Sequence, residues 1–86
     1  MEKIKLFIAD ANPEHIERVR HALAQSETLR IAGTSCDGRS ALRQIVRLNP
    51  DALLTDIQLP GLDGISLLKE LRYMKRPPVC IVCTRF

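Results

Sequence analysis

The chain has no tryptophan, one tyrosine and two phenylalanines among its 86 residues. With so few rings there is no platform on which nucleic-acid bases could stack, and no aromatic pair to sandwich a flavin. Long apolar runs are also missing, so no segment reads as a membrane span. The opening Met1-Glu2-Lys3 lacks the apolar stretch and small-residue cleavage site of a signal peptide, and the expected location is the cytoplasm. Three cysteines are an odd number, which argues against a closed disulfide framework. Cys80 and Cys83 have C-x-x-C spacing, but no second pair exists to complete a zinc site. They lie in an apolar run rather than at a helix start, so all three cysteines are read as buried free thiols. The positive excess is small: 13 Lys and Arg against 10 Asp and Glu give +3. That permits an acidic partner without demanding nucleic acid, and no direct nucleic-acid contact is expected. Glycine is scarce as well. Gly33 and Gly38 form no phosphate-cradling G-x-G-x-x-G run, which weighs against a third reading, a small cofactor binder.

What the chain does have is a regular alternation of strand and helix patterns. Ile4, Leu6 and Ile8 alternate, with Phe7 on the other face, and predict a first strand from Ile4 to Ala9. Asn12-Pro13 reads as an N-cap followed by proline at the first helical position. The first helix is expected from about Pro13 to Gln25, with Ile16, Val19 and Leu23 as its apolar stripe. Leu29 to Ser35 is a second strand. Asp37-Gly38 opens a second helix that runs to Leu48 and buries Ala41, Leu42, Ile45 and Leu48. Ala52 to Thr55 is a third strand, apolar enough for burial on both faces. A third helix is expected from about Ile65 to Met74, burying Ile65, Leu68 and Leu71. Val79 to Cys83 is a fourth strand. Strands separated by single helices imply right-handed crossovers and a parallel sheet in one domain, residues 1–86.

Ligands in such sheets bind beyond the carboxyl ends of the strands, where the strand order reverses. Asp10 follows the first strand, Asp56 the third and Thr84 the fourth. Two carboxylates facing each other suit a hard divalent cation such as Mg²⁺. One of them can then act as nucleophile toward a phosphoryl group, and the threonine hydroxyl can bind a phosphoryl oxygen. Asp63 is read as a turn residue with Gly64. His15 and His21 are read as exposed positions of the first helix.

The segment Leu54-Thr55-Asp56-Ile57-Gln58-Leu59-Pro60-Gly61-Leu62-Asp63-Gly64 resembles the phosphoacceptor segment of response-regulator receiver domains. Ile8-Ala9-Asp10 resembles the acidic pocket of that family, and Ile81-Val82-Cys83-Thr84 its switch strand. The resemblance covers the whole chain. It implies a flavodoxin-like three-layer α/β/α fold with strand order 2-1-3-4, lacking the last helix-strand-helix of the family. It implies Asp56 as phosphoacceptor and Thr84 as the phosphoryl-sensing hydroxyl. Asp10, Asp56 and the backbone carbonyl of Gln58 would hold Mg²⁺, and Gln58 and Phe86 would flank the phosphoryl group. The implied partners are a histidine kinase or phosphotransferase, with an output domain in a longer form, and the implied role is a switch rather than a turnover enzyme.

The chain departs from the family pattern in two ways. The family carries an acidic pair at the first strand end, whereas here Asp10 is followed by Ala11, so Mg²⁺ binding is expected to be weaker. Glu14 is a conceivable substitute but reads as a solvent-facing first-turn acid. The sequence also stops two residues after Thr84, short of the family's fifth-strand lysine, and Arg85 is not its geometric equivalent. An exposed fourth-strand edge invites pairing with a second chain, and a fragment of a longer regulator is the other option. A pseudo-receiver, an interaction module that neither binds metal nor becomes phosphorylated, is therefore the alternative reading. Arg39, Arg43 and Arg47, spaced four apart, make a basic stripe on the second helix that could meet an acidic partner.

Overall fold

The computed structural model describes residues 2–83. Its elements are β1 (Ile4–Ala9), α1 (Pro13–Leu23), β2 (Leu29–Ser35), α2 (Gly38–Leu48), β3 (Ala52–Asp56), α3 (Gly64–Leu71) and β4 (Val79–Cys83). The four strands form one parallel sheet in the order β2-β1-β3-β4. The expected order and chain direction therefore hold.

Alternation along β1 divides the core into two. Phe7 and Ala9 face α2 and α3, in a cluster with Ala41, Ile45, Leu53, Leu59, Leu67 and Leu71. Leu6 and Ile8 face the other way and pack with Ile16, against Val19, Leu23, Ile31, Ala52 and Leu54. Helices thus cover both faces, and β3 contributes to both clusters, as a strand apolar on both sides should.

Each helix begins on a side-chain cap that offsets its free N–H groups. Asn12 accepts from the Glu14 N–H at 2.9 Å, with Pro13 at the first helical position. Asp37 accepts from the Ser40 N–H at 2.8 Å. Asp63 caps α3 through Ser66, taking the backbone N–H at 2.9 Å and the hydroxyl at 3.0 Å. These bonds, the backbone one first, hold the Asp63 carboxyl below its ordinary value. The Asp63-Gly64 pair is thus a helix start, not merely a turn.

Helix α2 ends at Asn49, whose φ of 51° lies in the left-handed region that asparagine tolerates. The other two helices stop at Leu23 and Leu71, short of the expected ends near Gln25 and Met74. Beyond Leu23 and Leu71 the backbone tightens into three-residue bonds, Ala24 N–H to the His21 carbonyl and Met74 N–H to the Leu71 carbonyl.

The phase of α3 also differs from expectation. Gly64, Leu67 and Leu71 face the core, Leu68 is partly buried, and Ile65 is 44% exposed. The cap at Asp63 fixes the rotation, so Gly64 rather than Ile65 meets the sheet.

The cysteines are not buried as expected. Cys36 and Cys80 are exposed and Cys83 is half-buried. Cys36 lies just past β2, and the other two lie on β4, the edge strand of the described sheet, where Val79 is 69% exposed. The apolar β4 edge is open among the described residues. Arg39, Arg43 and Arg47 are all exposed on α2, as their spacing predicts.

Candidate functional site

The carboxyl ends of β1 and β3 place two acids side by side. Ala9 pairs with Thr55 in the parallel register, so the residues that follow, Asp10 and Asp56, emerge at the same end of neighbouring strands. Asp56 closes β3 opposite Cys83. Both carboxylates line one cavity of about 300 Å³, with His15, Val19, Leu54, Thr55 and Cys83 among its walls.

Asp10 is 8% exposed. Its backbone N–H donates to the Ser35 carbonyl at 3.0 Å, which ties the end of β1 to β2. Its Oδ1 accepts from the Asn12 N–H at 2.9 Å. Asp56 is half-buried, and its Oδ1 accepts from the Gln58 N–H at 3.3 Å.

The backbone under Asp56 is held tightly. The buried Thr55 hydroxyl donates to the Asp56 carbonyl at 3.0 Å. The Gly64 N–H donates to the Ile57 carbonyl at 2.8 Å, docking the start of α3 against the loop. The Gly38 N–H donates to the Pro60 carbonyl at 2.9 Å, docking α2 on the same loop. Two helix starts therefore brace the segment that follows Asp56.

Of the sequence-derived residues, Asp10 and Asp56 are brought together. Gln58 is exposed just beyond Asp56. Thr84, Arg85 and Phe86 lie outside the described residues. Glu14 is exposed and does not line the cavity, so it takes no place beside the two aspartates.

His15 departs from its expected exposed position. Its ring is half-buried, and Nδ1 stands 3.7 Å from Asp10 Oδ1. Sequence reasoning missed it, although the signal existed. His15 precedes Val19 by four residues, which puts it on the margin of the apolar stripe that faces the sheet.

Among the described residues, no cluster of three or more His, Cys, Asp or Glu is placed to hold a metal ion by side chains alone. No helix among them is long and apolar enough to cross a membrane.

Comparisons with known proteins agree with this geometry. The signal receiver domain of NarL from Mycobacterium tuberculosis superposes with a TM-score of 0.90 at 30% identity, covering 98% of this chain and 68% of that one. The response regulator domain of Thermotoga maritima CheB superposes with a TM-score of 0.85 at 25% identity, covering 96% and 61%. A protein-glutamate methylesterase/protein-glutamine glutaminase of Carboxydothermus hydrogenoformans is 35% identical over 82 residues, which are 95% of this chain and 24% of the relative. The chain thus spans about a quarter of the length of that curated relative. The family model of the response regulator receiver domain matches residues 6–86, and the chain belongs to that family.

Proposed function

We propose that Asp56 accepts a phosphoryl group from a phosphohistidine donor and that the domain acts as a phosphorylation-dependent switch in a cytoplasmic signalling pathway. The observation that carries this reading is the convergence of Asp10 and Asp56 in one cavity at the carboxyl end of a parallel sheet. An Asp56 carboxylate oxygen forms the new P–O bond while the P–N bond of the donor breaks. The bonding pair leaves with the donor imidazole, and an acyl phosphate remains on Asp56.

Receiver domains bind Mg²⁺ at this site. Here Asp10, Asp56 and the Gln58 carbonyl would hold it, and Ala11 offers no carboxylate. Bound there, the ion would offset the negative charge that accumulates during transfer. The chain's own part is orientation. Thr55 and Gly64 fix the backbone on either side of the Asp56–Ile57 peptide, and the Asn12 N–H steadies Asp10. Thr84 is assigned the sensing hydroxyl by its position in the family pattern.

Receiver domains work with histidine kinases or phosphotransferases and sit beside output domains. For this chain the specific donor, any output domain and pairing of two copies along β4 belong to the proposal. So does the absence of a turnover activity of its own.

The test is intact mass after incubation with Mg²⁺ and acetyl phosphate. One phosphoryl adduct, mapped to the β3 peptide, is expected. No adduct would favour the pseudo-receiver reading, for which Ala11 is the motivating observation. A companion prediction concerns Ala11→Asp. Ala11 is exposed, so the new side chain has room. The Mg²⁺ dissociation constant should fall about tenfold or more, roughly 1.4 kcal/mol, as read by calorimetry. An unchanged constant would mean that the missing carboxylate is not what limits the pocket.

A further inference from the structure

His15 lines the Asp56 cavity, and phosphoryl acceptance gives it no task. It is the third residue of α1 and lines the cavity with Val19, one helical turn on. Its Nδ1 is shut off from solvent and has no hydrogen-bond partner among the described residues. Asp10 Oδ1 stands 3.7 Å away, beyond hydrogen-bond reach. When Nδ1 carries the lone pair of a neutral ring, it and the carboxylate are two electron-pair donors facing each other in a partly enclosed space. A cation placed between them would be drawn to both.

The separation is close to what a shared ion requires. Neighbouring donors about 2.1 Å from an octahedral ion lie roughly 3.0 Å apart, so a side-chain adjustment of under about 1 Å closes the gap. Donor type decides which ion fits. Mg²⁺ prefers oxygen, whereas imidazole suits first-row transition ions. Ala11 withholds an oxygen donor at this strand end, and His15 brings a nitrogen to the same place.

We propose that His15 and Asp10 together form a metal-binding pair that makes this pocket prefer a first-row transition ion, such as Co²⁺ or Ni²⁺, over Mg²⁺. The inference rests on the reading of the Asp10–Asp56 cavity as a divalent-cation site. Water completes the coordination shell, because two side chains supply only two donors.

The experiment is calorimetric titration of the protein with Mg²⁺ and with Co²⁺, alongside His15→Ala and His15→Gln. Co²⁺ should bind the unaltered protein at least tenfold more tightly than Mg²⁺. Both variants should lose about tenfold or more in Co²⁺ affinity while Mg²⁺ affinity changes less than twofold. The visible spectrum of the Co²⁺ form should lack a strong thiolate charge-transfer band. Equal affinities for the two ions, variants that bind Co²⁺ as the parent does, or a strong thiolate band would each overturn the assignment of His15. In those cases Mg²⁺ binding that disappears in Asp56→Asn would leave the phosphoacceptor reading standing. No binding of either ion to the parent would overturn both.

Discussion

Gly64→Ala should lower the thermal unfolding midpoint by about 12–24 °C. A Cβ at Gly64 would run into the Asp56 carbonyl oxygen and lie 3.0 Å from Ile57 Cα and 3.1 Å from the Asp56 carbonyl carbon. These are backbone atoms of the loop that α3 braces, so no flexible side chain can swing aside. Overpacking of this kind costs about 3 kcal/mol, and each kcal/mol shifts the midpoint of a domain this size by roughly 4–8 °C. A chain of 86 residues has only about 4–13 kcal/mol in all.

Gly38→Ala should behave alike. Its Cβ would collide with the Leu62 carbonyl oxygen and sit 2.5 Å from the carbonyl carbon. Gly61 is the internal control. It needs its φ of +80°, but a Cβ there meets nothing closer than 3.7 Å. Gly61→Ala should therefore cost only the left-handed backbone term, about 1–2 kcal/mol. Calorimetric scans of the three variants decide the matter. A Gly64→Ala midpoint within 5 °C of the parent, on the order of 1 kcal/mol, would mean that the loop gives way and that α3 does not fix the backbone of Asp56.

These close approaches mark where the sequence was and was not legible. The elements, the parallel sense of the sheet and the faces of α1 and α2 follow from local pattern, and alternation fixes which face of β1 each side chain takes. The order β2-β1-β3-β4, which makes β1 and β3 neighbours and so brings Asp10 to Asp56, was implied by the family resemblance, because a right-handed crossover does not by itself choose the order. The two acids needed only to end neighbouring strands in register. The phase of α3 did not follow, because Ile65, Leu67, Leu68 and Leu71 offer apolar residues on more than one face. The tie is broken by the Asp63 cap and by Gly64 against the Asp56 carbonyl, both tertiary facts. Cysteine burial failed differently. The exposed fourth-strand edge was expected, yet Cys80 and Cys83, which lie on it, were still read as buried, and Cys36 lies past the end of β2 rather than in a strand. His15 was misplaced because a polar residue on the margin of a stripe reads as solvent-facing until the cavity it closes is seen.

Asp56→Asn should abolish phosphoryl acceptance while leaving the fold intact. Asparagine has the shape of aspartate and keeps an oxygen to accept the Gln58 N–H, which lies 3.3 Å from Oδ1. Asp56 is half-buried, so no charge sealed in the core is lost. The stability change should stay within about 1 kcal/mol. The amide, however, has no carboxylate oxygen from which to form an acyl phosphate. Loss should therefore be total in the acetyl phosphate assay, with circular dichroism and the unfolding midpoint near those of the parent.

Asp10→Asn supplies the contrast. Its oxygen can still take the Asn12 N–H now held at 2.9 Å, and Asp56 remains as nucleophile. Removing the Asp10 charge should slow acceptance, about tenfold to a hundredfold, rather than end it. The difference separates the two acids by role: one forms the bond and the other sets the charge around it. If Asp56→Asn still gained a phosphoryl group, the acceptor would be elsewhere. If the two variants and the parent were all inert, the shared cavity would be serving the pseudo-receiver, and the acids would remain only as polar ends of buried strands.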